Sequence, residues 1–498
     1  MSMKKNSKIG IYIFRRDLRL SDNLGLIKLS KEVDIIIPIF ILDPKQIKCT
    51  KANKHYFSSN VVQFMSESLI DLSKLLNKYN SRLRLFYGEP KHIVKIIIKY
   101  ICNSYKIKLS NIYLGFNCDF SIYAKNRDQI IIDYCSKYNI KLITSLDDLT
   151  LCSIELLSKS DKTCFKQYGA FLKHISKYKV NKPIVNTFIN YLSKSIYFDS
   201  EFDIEQLNQF YTSNPNLAQN GGRSYAVIQL YRLKNFNSYD ADHNTLSYNT
   251  TNLSAYLNFG CISPRETYYM IRKYVKFDKS KITLIRQLYW RDFYLQVVIY
   301  DPMGAQYIHI DDRFNKLKWP NNNQKHLNWT KLIDAETGFL LIDAAMIQMK
   351  TTGFMHNRAR MLVGHFWTKY LLINIFDPIY GSQVGFSKYL VDAIGCSQNK
   401  LNHQWITEFD YAGRKFSKPG AKISGRQFDI SNKQITKYDP DCIYIKTWLK
   451  HLKNIPNSEL IKWNDKIAKK YNYIHPAPIF DSKIQYTKWI KLCADKSN

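Results

Sequence analysis

The sequence predicts two architectures in one chain: a Rossmann-like, doubly wound parallel α/β domain over residues 1–150, and an all-helical domain over 213–498, joined by a connection at 151–212. Three observations predict this. Short β-branched runs alternate with longer amphipathic stretches through the first 150 residues, strand patterns almost vanish beyond about 212, and helical periodicity then dominates to about 455. Continuous apolar strands separated by helices imply a sheet covered on both faces.

The strands are "KIGIYIF", "VDIIIPIFIL", "RLRLFYG", "NIYLGFN" and "KLITS". Amphipathic stretches at 57–80, 91–105 and 123–139 are the helices between them. No G-x-G-x-x-G or G-x-x-x-x-G-K-[ST] accompanies these strands, which excludes a standard dinucleotide or triphosphate loop. The connection is rich in Ser, Lys and Asn. Beyond it, "SPRETYYMIRKYV", "ITLIRQLYWRDFYLQVVIY", "LLIDAAMIQMKT" and "FMHNRARMLVGHFWTKYLLINIF" carry helical spacing. There is no fixed-period repeat, and the lysine-rich end after 455 reads as an appended helix or a loose tail.

Within this region "TTGFMHNRARML", residues 351–362, reads as a helix whose inward face aligns Phe354, Asn357 and Met361, with Arg360 at its edge. An amide, a guanidinium and a thioether suit a ligand better than a core.

Lys plus Arg exceed Asp plus Glu by 73 to 41, giving a net charge of +32. That favours an anionic partner, nucleic acid first, although abundant Lys, Ile, Asn and Tyr are also what an AT-rich genome produces. The ten cysteines include no C-x-x-C pair, so no zinc site or redox dithiol is expected, and a reducing compartment fits. The start lacks the apolar core of a signal peptide, and no stretch approaches the ~18 apolar residues of a membrane span. A soluble, intracellular monomer in cytoplasm or nucleus is expected, with no metal.

Six motifs in order over residues 8–452 carry a resemblance: "IFRRDLRLSDNLGL", "TTNLSAYLNFGCISPRE", "QLYWRDFY", "TGFLLIDAAM", "TTGFMHNRARM" and "ISGRQFDISNKQITKYDPDCIYIKTWL". Together they resemble the photolyase/cryptochrome family, most closely its cyclobutane pyrimidine dimer photolyases. The resemblance implies an antenna domain joined to a helical domain holding FAD, and UV-damaged DNA as partner. It implies that Thr250, Thr251, Asn252, Leu253 and Ser254 form the flavin phosphate loop, with Tyr239 reaching the same phosphates. Arg360 pairs with Asp392 beside the flavin, Ala393 and Ile394 follow in the same loop, and Asn399 faces flavin N5, with Gln398 the alternative by forward counting. Asn357 and Met361 match positions that touch a cyclobutane lesion, where (6-4) photolyases carry histidines. Trp290 and Trp405 match the aromatic walls of the lesion cavity, Arg291 lies on the rim near flavin and DNA, and Gln287, Arg291 and Asn357 also count among the residues that bind the cofactor. Gln287 stands where cyclobutane enzymes usually have Glu and where (6-4) enzymes and animal cryptochromes usually have Gln.

The family's three-tryptophan relay is broken here. Trp319 fits its outermost member, but His403 and Ile375 fall on the inner two positions, and neither is an easy one-electron donor. Trp367 occupies the place of a relay tryptophan in class II photolyases, with Tyr370, Tyr380 and Tyr389 nearby in sequence. Ser121 replaces a Glu that often contacts folate, so the second chromophore is a deazaflavin, a flavin, a folate or absent. Arg15, Arg16 and Arg19, with Lys4 and Lys5, are expected on the solvated surface rather than in contact with DNA. The implied function is light-driven splitting of cyclobutane dimers; the alternatives are a cryptochrome photoreceptor, a (6-4) photolyase, or a light-independent DNA-binding module that keeps FAD as structure.

Overall fold

In the computed structural model, the described residues are 4–47, 57–300, 316–320, 323–377, 379–392 and 429–494. The five predicted strands form as β1 (Ile9–Phe14), β2 (Ile35–Leu42), β3 (Arg84–Tyr87), β4 (Ile112–Asn117) and β5 (Lys141–Ser145). A sixth, β6 (Glu201–Phe202), pairs antiparallel with β3 at the sheet edge, giving the order β5-β4-β1-β2-β3-β6 with every other pairing parallel. Periodicity could not find β6: it is two residues long and half-buried, and an ion pair from Arg82 to Glu201 (2.7 Å) helps hold it.

Side chains alternate along each strand, so β1 feeds two cores. Ile9, Ile11 and Ile13 pack with Ile93, Ile97 and Ile101 of the Pro90–Tyr105 helix. Tyr12 and Phe14 face Leu26, Leu29, Val61 and Phe64 on the other side. Ser58 caps the Ser59–Asn77 helix by accepting from the Val61 amide, and Ser121 caps the Ile122–Lys137 helix by accepting from the Ala124 amide.

Helices occupy nearly all the regular structure beyond Arg223, and no helix among the described residues is long and apolar enough to cross a membrane. The reading of 351–362 as one helix is corrected. The Leu340–Thr352 helix stops at Gly353, whose φ of +64° is costly for any side chain, and a new helix, Asn357–His365, starts after His356. Phe354 therefore lies in the link between the two helices, not on a helical face. The longer stretch 354–376 is broken again by a π-helical turn at Phe366–Tyr370.

The expectation for Arg15, Arg16 and Arg19 is also corrected: none is exposed, and Arg16 and Arg19 dock the sheet onto the helical region. Arg19 is buried and pairs with Asp148 (2.7 Å) while donating to the Gly260 carbonyl (3.0 Å). Arg16 pairs with Asp119 (3.1 Å) and donates to the Asn258 carbonyl (2.8 Å); Arg15 pairs with Asp128 (2.8 Å). Desolvated cations need such partners. Gly260 makes the close approach possible: its φ is +67°, and a Cβ there would lie 2.1 Å from the Arg16 carbonyl oxygen.

This junction sits at the carboxyl ends of β1 and β4, where the strand order reverses and doubly wound sheets usually open a ligand crevice. Here Asn117 donates to Asp17 (2.7 Å), Asn23 (2.8 Å) and the Tyr12 hydroxyl (2.9 Å), so the chain's own polar groups fill that place.

Candidate functional site

The Asn357–His365 helix begins with an unusual cap. His356 Nδ1 accepts from the Arg358 amide (3.2 Å), a job usually done by a hydroxyl or carboxylate oxygen. Burial, then the cations Arg358 and Arg360, push the His356 imidazole down to about 4, so it is neutral at pH 7 and able to accept. Its other nitrogen, Nε2, is buried with no partner among the described residues.

Arg360 follows one turn later and is 3% exposed. It donates to the Met355 carbonyl (2.8 Å) and pairs with Asp392 (3.0 Å). The second carboxylate oxygen of Asp392 is buried and has no hydrogen-bond partner among the described residues. An unsatisfied buried carboxylate oxygen is expensive, and an N–H from a bound group would satisfy it. A flavin ring carries such an imide N–H, so this donor set fits FAD.

Asn357 is exposed at the helix start, and Met361 lies just under the surface with Arg358 donating to its sulfur (3.0 Å). A second Arg358 nitrogen, Nε, donates to Asn244 (2.6 Å). That bond ties the helix to the 239–244 segment. The same segment is tied to the Asp278–Tyr300 helix, where Ser280 accepts from the Asp240 amide (3.0 Å) and Thr283 donates to the Asp240 carboxylate (2.9 Å). Tyr239 is buried here, and burial pushes its phenol up to about 12. The segment therefore bridges the helix of Gln287 and Trp290 to the helix of Asn357 and Met361.

Thr250, Thr251, Asn252 and Ser254 are half-buried, and Leu253 is buried. Asn252 adopts a left-handed φ of +53°, and the Ser254–Phe259 helix starts without a side-chain cap. Gln287 is exposed on the Asp278–Tyr300 helix, donating to the Thr283 carbonyl (3.4 Å).

Two residues of that helix lie differently from expectation. Trp290 does not present an open face: Tyr168, on the Tyr168–Ile175 helix of the connection, stacks on it with centroids 3.5 Å apart and planes 7° apart. Tyr294 stacks on Trp290 at 5.7 Å. Arg291, expected on a rim, is buried at the junction with the α/β domain, where it donates to the Leu149 carbonyl. The reason is helical phase. One residue beyond Trp290, Arg291 turns toward the 149–165 connection, as do Asp292, which accepts from the Leu151 amide (3.0 Å), and Gln296, which bonds both backbone groups of Phe165. Burial raises Asp292 to about 7.

Trp319 and Trp367 lie in different clusters. Trp367 is fully buried with Phe386, its indole N–H donating to the Tyr380 carbonyl (2.7 Å). Trp319 packs against Trp489 at 5.8 Å. Ile375 is buried in the same core as Trp367. Ala393, Ile394, Gln398, Asn399, His403 and Trp405 lie outside the described residues. Among the described residues, no group of three or more His, Cys, Asp or Glu could hold a metal ion.

Sequence reasoning missed His356, Arg358 and Tyr168. The first two stand inside a quoted motif, and the signal for His356 was Gly353, which ends one helix and demands a cap for the next. Nothing local distinguishes Tyr168.

The family model for DNA photolyase matches residues 10–186, and that for the FAD binding domain of DNA photolyase matches 284–495. The chain is 28% identical over 486 residues to a deoxyribodipyrimidine photo-lyase of Buchnera aphidicola subsp. Baizongia pistaciae, covering 94% of this chain and 96% of that protein. It is 26% identical to Cryptochrome-2 of Gallus gallus, covering 91% and 76%. Among solved structures, an archaeal photolyase from Sulfolobus tokodaii with two FAD molecules superposes with a TM-score of 0.78 at 27% identity, covering 98% of this chain and all of that one.

Proposed function

We propose that this chain, which belongs to the photolyase/cryptochrome family, is a light-driven DNA repair enzyme that splits cyclobutane pyrimidine dimers with FAD. The buried Arg360–Asp392 pair carries the reading, because it leaves one carboxylate oxygen unsatisfied beside a helix that opens on Asn357 and Met361.

Tyr239, Thr250, Thr251, Asn252, Leu253 and Ser254 would hold the FAD diphosphate, and Arg360, Asp392, Asn357, Ala393, Ile394 and Asn399 the ring. Bound and reduced, FAD would supply the light-driven one-electron chemistry that opens the cyclobutane ring with no net redox change. The protein's part is position and local charge. The Arg360 cation, held by Asp392, favours negative charge nearby, while neutral His356 adds none of its own. Gln287, Asn357 and Met361 orient the pyrimidine edges, since amides both donate and accept. Trp290 and Trp405 wall the cavity for an extruded lesion, which costs little to unpair. The excess of cations holds the phosphate backbone, so affinity falls with salt. Trp319 and Trp367 are the proposed electron donors for reducing the cofactor. For a second chromophore, a flavin is favoured over folate, because Ser121 is engaged in capping a helix and the archaeal relative holds a second FAD.

One observation favours a second reading, a cryptochrome photoreceptor without repair: Tyr168 covers the face of Trp290 that a lesion would use. Purified protein, reduced and illuminated, is expected to remove a thymine dimer from an oligonucleotide, to do nothing in the dark, and to leave a (6-4) lesion untouched. Light-induced spectral change with no loss of either lesion would reject repair in favour of the photoreceptor.

A further inference from the structure

The outer face of the Arg223–Arg232 helix and the adjoining end of the Pro264–Tyr274 helix combine two features that seldom coexist on a solvated surface. The first is exposed aromatic area. Tyr225, Ile228 and Tyr231 recur at three-residue spacing and are 46%, 48% and 53% exposed; Phe277, just past the neighbouring helix, is 65% exposed. Tyr231 touches Tyr274 with centroids at 5.5 Å, which joins the two helices into one surface. The second is uncompensated charge. Arg232, Lys234, Arg272, Lys273 and Lys276 are all exposed, none forms an ion pair among the described residues, and neither 223–237 nor 268–277 contains a carboxylate. Lys273 lies over the Tyr274 ring at 5.2 Å, so cation and ring are interleaved rather than segregated.

We infer that this surface binds single-stranded DNA, with Tyr231 and Phe277 stacking on unpaired bases while the five cations track the phosphates. Flat rings set among unpaired cations suit stacking plus backbone contact. A lipid surface is the weaker match, because Ile228 is the one exposed aliphatic group on the patch. The patch borders the proposed site, since the Lys276 amide donates to Asn237 (2.8 Å), two residues before Tyr239.

The choice of DNA rests on the repair reading above; the surface itself does not require a lesion. The test is fluorescence anisotropy of the full chain with undamaged oligothymidylate and with a matched duplex. Replacing Tyr231 and Phe277 together by Ala should weaken oligothymidylate binding roughly tenfold or more and leave the duplex nearly unaffected. Reversing Lys273 and Lys276 to Glu should weaken both and flatten the salt dependence. Retained flavin absorbance and unchanged circular dichroism report an intact fold. Oligothymidylate binding within twofold of wild type in the aromatic variant, or an equal loss for duplex, would overturn the inference. So would wild-type protein that floats with phosphatidylglycerol vesicles yet fails to bind oligothymidylate. Wild-type protein that binds oligothymidylate through these rings but repairs no lesion in light would overturn the repair reading and support this one.

Discussion

His356 gives the sharpest pH prediction. Its folded value is about 4 against an ordinary value of 6.5, because burial and the neighbouring Arg358 and Arg360 oppose another positive charge. Between those values the unfolded chain binds more protons than the folded one, so stability rises with pH across that window. The contribution is present in full above the unfolded value and is lost as pH falls. From a folded value of 4 and an unfolded value of 6.5, dropping from pH 7.5 to pH 5 should cost about 2 kcal/mol through this residue alone, and about 3 kcal/mol below pH 4. Protonation also removes the lone pair that accepts the Arg358 amide, so the cap fails in the same step. Histidine carbon-13 NMR reads the titration directly, and urea unfolding of wild type against His356→Asn at both pH values isolates the energy from the carboxylates that titrate alongside. Asparagine can still cap. The variant should lose about 2 kcal/mol less than wild type on acidification. A ring resonance titrating near 6, or identical acid sensitivity in the two proteins, would refute the reasoning.

Three further outcomes are expected. Asp392→Asn leaves Arg360 against a neutral amide in a dry site and should cost about 3 kcal/mol or more; flavin absorbance retained through gel filtration should fall with it, and unaltered retention would count against the site. Gly260→Ala, with its Cβ 2.1 Å from the Arg16 carbonyl and a left-handed φ, should destabilise by about 2–4 kcal/mol in urea unfolding. Tyr168→Ala uncovers Trp290 and should change its fluorescence while tightening binding of a dimer-containing oligonucleotide by about twofold to thirteenfold, the range set by an aromatic pair of about 0.5–1.5 kcal/mol.

The α/β half was legible because its signals are local. Five β-branched runs became five strands within two residues of their predicted bounds, since an all-apolar run fits a sheet buried on both faces. β6 was not legible, because two residues of polar connection hold their place through pairing with β3 and not through composition. In the helical half, periodicity located the helices but ran across Gly353, whose positive φ splits one apparent helix into two. That error matters for the site, since it moves Phe354 off the helix and makes His356 a cap. Arg360 and Asp392 are 32 residues apart, and only a family resemblance could pair them in advance. The arginines of "RRDLR" look like surface in any local reading. Their carboxylate partners Asp119, Asp128 and Asp148 come from more than a hundred residues downstream, and Arg16 and Arg19 also donate to carbonyls of the helical half.

The Tyr168 stack is the feature that most nearly opposes repair, and its magnitude decides how far. A ring pair is worth about 0.5–1.5 kcal/mol beyond burial, and the bond from the Tyr168 hydroxyl to the Arg286 carbonyl can be exchanged for one to water at small net cost. Stacking of a nucleobase on an aromatic side chain is worth about 1–3 kcal/mol per base, and a pyrimidine dimer offers two. On the proposed repair reading, displacing Tyr168 would cost less than two stacked pyrimidines return, and the closed stack would lower apparent affinity by about one order of magnitude. It would also select: an undamaged stacked pair has to be unpaired before it can compete for Trp290, whereas a dimer already poorly paired does not. A ring held over the platform by so small a free energy would suit a site that stays covered until a lesion arrives, which would make the covered tryptophan compatible with the proposed repair and makes Tyr168→Ala the variant that separates the two readings.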